Sequence, residues 1–119
     1  MVETILVADD EEEVRNRLKT IFEDQGHAVM TAVDGDDCLK KARGSSINLI
    51  LLDISMPGTP VQQVVKQLPN KRIAFCTLLR LKGEEKQALL SQKNIVGFIQ
   101  KPFSEEGVVT TVSKLLAEK

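Results

Sequence analysis

Short apolar runs alternate with helical patterns along the whole chain, and this alternation predicts an α/β domain with a parallel five-stranded sheet. One run, residues 49–52, is apolar throughout and is followed by turn residues, as is typical of a strand buried on both faces. The length of 119 residues suits one domain that buries about two thirds of its unfolded surface. We therefore expect residues 1–119 to form a single domain, with no second domain in this chain.

The first half of the chain contains the predicted strands 4–8, 27–32 and 49–52. Partial alternation in the second of these favours an edge position in the sheet. A helical pattern follows the first strand and ends at Gly26. Its apolar face comprises Val14, Leu18, Ile21 and Phe22. A shorter helix around Leu39 separates the second strand from the third.

The second half contains predicted strands at 73–76 and 95–99 and three predicted helices. We expect Thr59 to cap the first of these helices and Pro60 to be its first residue. Its apolar face comprises Val61, Val64, Val65 and Leu68. A weaker helical pattern covers residues 82–93. The last helix follows Ser104 and has an apolar face of Val108, Val109, Val112, Leu115 and Leu116.

Of the two common strand orders of doubly wound folds, five strands favour 2-1-3-4-5, the flavodoxin-like (βα)5 arrangement with right-handed crossovers. In this order the polar residues that end apolar strands all lie at one edge of the sheet. These residues are Asp9, Asp10, Asp53, Thr77 and Lys101. Turn chemistry also explains each acid alone, because a carboxylate can accept a hydrogen bond from the backbone two residues on. It does not explain why three acids, a hydroxyl and an ammonium converge in one crevice.

The converging residues indicate a magnesium site and a phosphoryl-transfer reaction. Close carboxylates repel one another unless a cation joins them, and hard oxygen ligands suit Mg²⁺. We expect Asp9 and Asp10 to hold the ion while Asp53 lends one oxygen and remains nucleophilic. Thr77 and Lys101 would contact oxygens of the transferred group, so the product would be an aspartyl phosphate.

Four features carry a resemblance to a known family: LVADDE at 6–11, LLDISMP at 51–57, Thr77 after the fourth strand, and KPF at 101–103. In this order and at these spacings they resemble the receiver domain of two-component response regulators, of which the chemotaxis receivers are examples. The resemblance covers essentially the whole chain. It implies that Asp53 is the phosphoacceptor.

The resemblance also implies roles for the residues around the phosphoacceptor. Asp10 would bind Mg²⁺ directly and Asp9 largely through water, and the backbone carbonyl of Ser55 would be a further ligand. Lys101 would pair with an oxygen of Asp53 or of the phosphoryl group.

A conformational switch is a further implication of the resemblance. Thr77 would move toward the attached phosphoryl group, and Phe98 would turn inward as Thr77 moves. Phe98 also fits a purely structural role as a core aromatic on an edge strand, because the chain has few aromatic residues. The peptide bond between Lys101 and Pro102 would be cis, as in the family.

The function implied by the resemblance is a phosphorylation-dependent signalling switch. A histidine kinase or phosphotransfer protein would supply the phosphoryl group, and the surface of the fourth helix, fifth strand and fifth helix would change to bind a partner. That partner would be a downstream protein or a missing output domain, and activation would also allow a dimer. The alternative is a phosphorylation-independent, receiver-like protein-binding module. At most, the chain would phosphorylate itself from small donors and dephosphorylate itself, rather than act as a classical turnover enzyme.

Charge and composition exclude several other functions. Lys and Arg number 16 against 17 Asp and Glu, so we expect no basic surface for direct binding of nucleic acid or membranes. Cys38 and Cys76 fit neither a metal spacing nor a redox motif, and we interpret them as buried small hydrophobic residues. The sequence has no charged signal-peptide start and no apolar stretch of membrane-spanning length. We therefore expect a cytoplasmic protein.

The loop at residues 56–61 departs from the family pattern. Receivers usually have Asp or Asn and then Gly where this chain has Pro60 and Val61. We expect the loop to be built differently, with Gly58 supplying the permissive backbone.

The segment after Thr77 departs as well. Leu78 and Leu79 stand where a small residue usually follows the threonine, which predicts a crowded site that is loaded poorly or hydrolysed slowly. RLKGEE at 80–85 replaces the usual start of the fourth helix, a region that normally takes part in output.

Overall fold

The computed structural model describes residues 3–78 and 82–118. Strands and helices alternate strictly along these residues, as the sequence predicts. In order, the elements are β1 (Thr4–Ala8), α1 (Glu12–Asp24), β2 (Ala28–Ala32), α2 (Gly35–Arg43), β3 (Leu49–Leu52), α3 (Val61–Gln67), β4 (Ile73–Thr77), α4 (Gly83–Leu90), β5 (Ile95–Gln100) and α5 (Glu105–Ala117).

The sheet is parallel throughout and has the order β2-β1-β3-β4-β5, which confirms the predicted fold class and strand order. β2 is an edge strand, as its partial alternation predicts. β3 lies at the centre and pairs with β1 in a register that sets Leu52 opposite Ala8. The backbone N–H of Asp53 continues this ladder and donates to the carbonyl of Ala8 at 3.0 Å. The first residues after β1 and β3 are therefore neighbours.

The core consists of two layers, one on each face of the sheet. α1 and α5 pack on one face, and α2, α3 and α4 pack on the other. β3 serves both layers, because Leu49 and Leu51 face the first and Ile50 and Leu52 face the second. Burial of each such side chain contributes about 1.5–3 kcal/mol, so this strand is a rigid support for the residue that follows it.

The two cysteines are buried in opposite layers, Cys76 with α1 and α5 and Cys38 with α2 and α3. Burial raises the pKa of each thiol to about 12, so both stay protonated near neutral pH. The interpretation of both as buried small hydrophobic residues is confirmed.

The start of α3 differs from the prediction. The helix begins at Val61, and Pro60 is the capping residue, with an extended backbone and no side-chain cap. The carbonyl of Pro60 accepts hydrogen bonds from Gln63 and Val64 at 2.9 and 3.1 Å. The expectation that Thr59 caps this helix is wrong, because its backbone N–H and hydroxyl both donate to Asp36 Oδ1 on α2.

α4 ends three residues before the predicted end at residue 93. The hydroxyl of Ser91 donates to the carbonyl of Ala88 at 3.1 Å, beside the helix end. Asn94 then donates from its side chain to the carbonyls of Val65 and Leu68, at 2.9 and 3.0 Å. These bonds hold the chain against α3 before β5 begins. Residues 79–81, at the predicted entrance of α4, lie outside the described residues.

Candidate functional site

The carboxyl ends of β1, β3, β4 and β5 meet at one edge of the sheet. They surround an open cavity of about 510 Å³. Its lining comprises Asp10, Glu11, Asp53, Ser55, Thr77, Leu78 and Lys101. The predicted convergence of polar strand ends is therefore observed, because parallel strands direct their ends to a common side.

Lys101 joins two of the acids. Its Nζ lies 2.5 Å from Asp9 Oδ2 and 3.3 Å from Asp53 Oδ2. The three side chains are at most 6% exposed. Burial alone would lower the pKa of Lys101, but its hydrogen bond to Asp9 and the charges of both carboxylates outweigh burial and raise that pKa. Lys101 is thus a fixed cation between two buried acids.

In both Asp9 and Asp53, the carboxylate oxygen Oδ1 accepts a hydrogen bond from the backbone N–H two residues further along the chain. The backbone N–H of Glu11 donates to Asp9 Oδ1 at 2.9 Å, and that of Ser55 donates to Asp53 Oδ1 at 3.0 Å. Each acid therefore makes the local turn that its sequence context predicts and also faces Lys101. The turn interpretation is therefore confirmed for both acids, and it leaves the other oxygen of each carboxylate free to face Lys101.

Asp10 completes an acidic cluster with Asp9 and Asp53, in which one oxygen from each lies within 4.8 Å of the others. Asp9 is buried and Asp10 is exposed to the cavity. Burial raises the pKa of Asp9, and hydrogen bonds from Lys101 and Glu11 oppose that rise. Hard carboxylate oxygens at an open cavity with room for water fit Mg²⁺.

Thr77 ends β4 at the wall of the cavity and is completely buried. The backbone N–H of Lys101 donates to the carbonyl of Thr77 at 2.9 Å, so the ends of β4 and β5 are tied together beside the acids. The five residues predicted at the strand ends are thus brought to one place.

Comparison with known proteins identifies the family of this chain. A sequence model of the response regulator receiver domain matches residues 5–113. The chain belongs to the response regulator receiver domain family. It is therefore a receiver domain of two-component signalling, a class that binds Mg²⁺ at an acidic pocket and acts with histidine kinases and output domains.

Curated and solved relatives agree with this assignment. The transcriptional regulatory protein ResD of Bacillus subtilis is 36% identical over 113 residues, which are 94% of this chain and 47% of ResD. The chemotaxis protein CheY4 of Vibrio cholerae is 26% identical with a TM-score of 0.81, covering 97% of this chain and 99% of that chain. Response regulator TrrA of Thermotoga maritima, solved with Mg²⁺-BeF, is 28% identical with a TM-score of 0.80. The match covers 95% of this chain and 98% of the TrrA chain.

The chain spans about half the length of the curated relatives it matches. Within residues 3–78 and 82–118 of this receiver domain, no helix is long and apolar enough to cross a membrane.

Phe98 lies on β5 away from the residues that line the cavity. It is half-buried and packs edge-on against Phe75, with ring centroids 6.4 Å apart and an interplanar angle of 71°. This is the packing expected of a core aromatic on an edge strand, and its role as a switch stays a prediction. The peptide bond between Lys101 and Pro102 is cis, as the resemblance implies.

Two side chains that support the site were not predicted. Arg15 on α1 donates from Nη1 to the carbonyl of Asp9 at 2.9 Å, and Gln100 donates from Nε2 to the carbonyls of Thr77 and Leu78 at 3.0 and 3.1 Å. Both side chains donate to backbone carbonyls. Because every residue has such a carbonyl, the sequence does not indicate which one will accept the hydrogen bond. The position of Arg15 in the first turn of α1 is the one signal that could have pointed to it.

The unusual loop at 56–61 is fastened to α2. Gly58 has a φ of +85°, as expected for its permissive role. The N–H of Gly35 donates to the carbonyl of Pro57 at 3.3 Å, and Thr59 is bonded to Asp36. A side chain at Gly35 would overlap the backbone oxygen of Thr59, so the loop sits directly on the start of α2.

Leu78 lies at the mouth of the cavity with 62% of its surface exposed. It therefore borders the site without filling it, and crowding by Leu78 stays a prediction. Leu79 lies outside the described residues.

Proposed function

We propose that Asp53 of this receiver domain accepts a phosphoryl group from a phosphohistidine. The observation that carries this proposal is the setting of the Asp53 carboxylate. Its Oδ1 is held by the N–H of Ser55, its Oδ2 faces Lys101 at 3.3 Å, and the residue lines the open cavity. A carboxylate fixed in this way presents one oxygen to an incoming donor without a further cost of orientation.

The reaction is a single displacement at phosphorus. An oxygen of Asp53 forms a bond to phosphorus while the bond from phosphorus to the donor's histidine nitrogen breaks, and that nitrogen keeps the electron pair. Lys101 stays charged near neutral pH because its pKa is raised, so it can bind an oxygen of the transferred group.

We assign the Mg²⁺ site to Asp10, Asp9, Asp53 and the backbone carbonyl of Ser55. The acidic cluster within 4.8 Å supports this assignment. Bound Mg²⁺ would neutralise charge on the phosphoryl oxygens. Because Asp9 is already hydrogen-bonded to Lys101 and Glu11, it would act largely through water, whereas the exposed Asp10 would bind directly.

The switch in this proposal runs from Thr77 to the α4-β5-α5 surface. Thr77 would move toward the phosphoryl group and Phe98 would turn inward, which changes that surface. Lys86 of α4 lies with Nζ 6.0 Å from the centroid of the Phe98 ring, so a rotation of the ring would be felt by α4.

The partners belong to the same proposal. A histidine kinase or a phosphotransfer protein would load Asp53, and a downstream protein or an attached output domain would bind the changed surface. Activation would also allow a dimer through this surface. A receiver that is loaded by a histidine kinase in this way would act in the cytoplasm.

Phosphorylation with a small donor tests the proposal. The protein is incubated with acetyl phosphate and Mg²⁺, and its intact mass is measured. The wild type is expected to gain one phosphoryl group and Asp53→Asn none. Asp24→Asn, which neutralises an exposed acid at the end of α1, is the matched control and should gain the same mass as the wild type.

The absence of a mass gain in the wild type, with acetyl phosphate and with other small phosphodonors, would contradict the proposal. It would favour the alternative, a receiver-like module that binds its partner without phosphorylation.

A further inference from the structure

The side-chain amide of Gln100 links the end of β5 to the residues that follow β4. Its Nε2 lies 3.0 Å from the carbonyl oxygen of Thr77, 3.1 Å from that of Leu78 and 3.3 Å from that of Lys101. An amide nitrogen carries two hydrogens, so they are shared among three carbonyl acceptors. One side chain thus holds three backbone groups around the cavity edge.

Gln100 is placed for this contact by the sheet register. It lies directly opposite Thr77 in the β4-β5 pairing. The carbonyl of Thr77 also accepts the backbone N–H of Lys101 at 2.9 Å. Because Gln100 bonds the carbonyls of both Thr77 and Leu78, it restrains two successive peptide groups and so the backbone of Leu78.

One of the restrained residues, Thr77, is the residue that moves toward the phosphoryl group in the proposed switch. Thr77 ends β4 inside the cavity wall, and Leu78 stands at the cavity mouth. In the observed arrangement Asp53 is an unmodified carboxylate paired with Lys101. A contact that holds the Thr77 and Leu78 carbonyls in this arrangement opposes any displacement of Thr77 toward a group attached to Asp53.

We propose that Gln100 is a positioning residue that restrains Thr77 and Leu78 and so weakens the response of the site to an acyl phosphate. The inference rests on the proposed function, because it requires that Thr77 moves on phosphorylation. Gln100 would set how readily the switch occurs without touching the acids that hold Mg²⁺.

The experiment compares Gln100→Met, which keeps the length but removes the donor, with Gln100→Leu, which removes the donor and shortens the side chain; neither adds a charge beside the Mg²⁺ site. The probe is beryllium fluoride with Mg²⁺, a mimic of the acyl phosphate. The chain contains no Trp, so binding is followed by backbone amide shifts rather than tryptophan fluorescence. Gln63→Met, at an exposed glutamine of α3, is the matched control.

Gln100→Met is expected to bind beryllium fluoride about fivefold more tightly than the wild type, the factor that corresponds to one net hydrogen bond. Gln100→Leu should show a similar gain. The affinity for Mg²⁺ alone should be unchanged in both variants, and Gln63→Met should match the wild type throughout. If Gln100 had only a structural role, its replacement would lower the stability of the domain to urea and change neither affinity. A gain in beryllium fluoride affinity at constant Mg²⁺ affinity would therefore indicate a role in the switch.

Unchanged or weaker binding of beryllium fluoride in both Gln100 variants, with normal binding by the wild type, would overturn the role of Gln100 and leave the proposed function standing. Failure of the wild type itself to bind beryllium fluoride with Mg²⁺ would overturn both.

Discussion

Lys101 is paired more closely with Asp9 than with the proposed phosphoacceptor, with Nζ 2.5 Å from Asp9 Oδ2 and 3.3 Å from Asp53 Oδ2. The ammonium therefore compensates two buried negative charges. Under the proposed function it would also contact an oxygen of the transferred group, so its loss would affect both the stability of the domain and its phosphorylation.

Removal of the Lys101 charge should destabilise the domain. Lys101→Met leaves Asp9 and Asp53 buried without their cation, so we expect the free energy of unfolding to fall by about 3–5 kcal/mol. Mg²⁺ should restore part of the loss, because it compensates the same charges. Urea unfolding followed by circular dichroism, with and without Mg²⁺, measures both effects. The control is Lys19→Met at an exposed site on α1, and a loss equal to that of the control would contradict the account.

The Lys101 contribution should also depend on pH. The folded state raises the pKa of Lys101 above its ordinary value of 10.5. Stability from this pair is therefore fully present below the unfolded pKa and is lost as pH rises through the folded pKa. We expect the difference in stability between wild type and Lys101→Met to be constant from neutral pH to about pH 9 and to shrink above pH 10.5. A difference that grew with rising pH would have the wrong sign.

Asp10 should matter more than Asp9 for the binding of Mg²⁺. Asp10 is exposed in the cavity, whereas both oxygens of Asp9 already accept hydrogen bonds from Lys101 and Glu11. We expect Asp10→Asn to weaken Mg²⁺ binding about tenfold or more and Asp9→Asn to weaken it less. Calorimetric titration with MgCl₂ gives both values, with Asp24→Asn as control. The reverse order would assign direct coordination to Asp9.

Gly35→Ala should displace the loop that follows Asp53. The new Cβ would overlap the carbonyl oxygen of Thr59, so the loop must shift away from α2. We expect a loss of about 1–3 kcal/mol of stability, together with changed amide shifts at Ser55 and Gly58. Gly44→Ala is the control, because its Cβ would meet its nearest neighbour, the Lys40 oxygen, at an ordinary 3.5 Å. Equal effects of the two substitutions would argue against a tight contact at Gly35.

Leu78→Ala should change the rates of phosphorylation and dephosphorylation without changing the stability of the domain. Because Leu78 is 62% exposed, its truncation is expected to change stability by at most about 0.5 kcal/mol. If Leu78 crowds the cavity mouth, loading from acetyl phosphate and decay of the phosphorylated protein should both become faster. Mass spectrometry over time measures the two rates. Unchanged loading and decay would remove Leu78 from the explanation.

The strand ends were predictable because their location follows from topology. Once β1 and β3 are identified as neighbouring parallel strands, Asp9 and Asp53 must emerge side by side, and Lys101 must follow β5 at the same edge. No side-chain conformation is needed for that step. The apolar run of β3 is followed directly by Asp53, which places this acid at the edge of the sheet.

Details that depend on tertiary contacts were not predictable. Thr59 has the residue type of a helix cap, yet it bonds Asp36, which lies 23 residues earlier in the chain. Gln100 acts on backbone carbonyls, which leave no mark in the sequence. The preference of Lys101 for Asp9 is a difference between two distances, and sequence spacing carries no information of that kind.

The measurement that tests the central claim most directly is the location of the phosphoryl group. The protein is phosphorylated with acetyl phosphate and Mg²⁺, the acyl phosphate is reduced with borohydride, and the digested chain is mapped by mass spectrometry. Reduction converts an aspartyl phosphate to homoserine. We predict homoserine at position 53 and at no other acid. Homoserine at Asp9 or Asp10, or a phosphorylated protein in which Asp53 is unmodified, would contradict it.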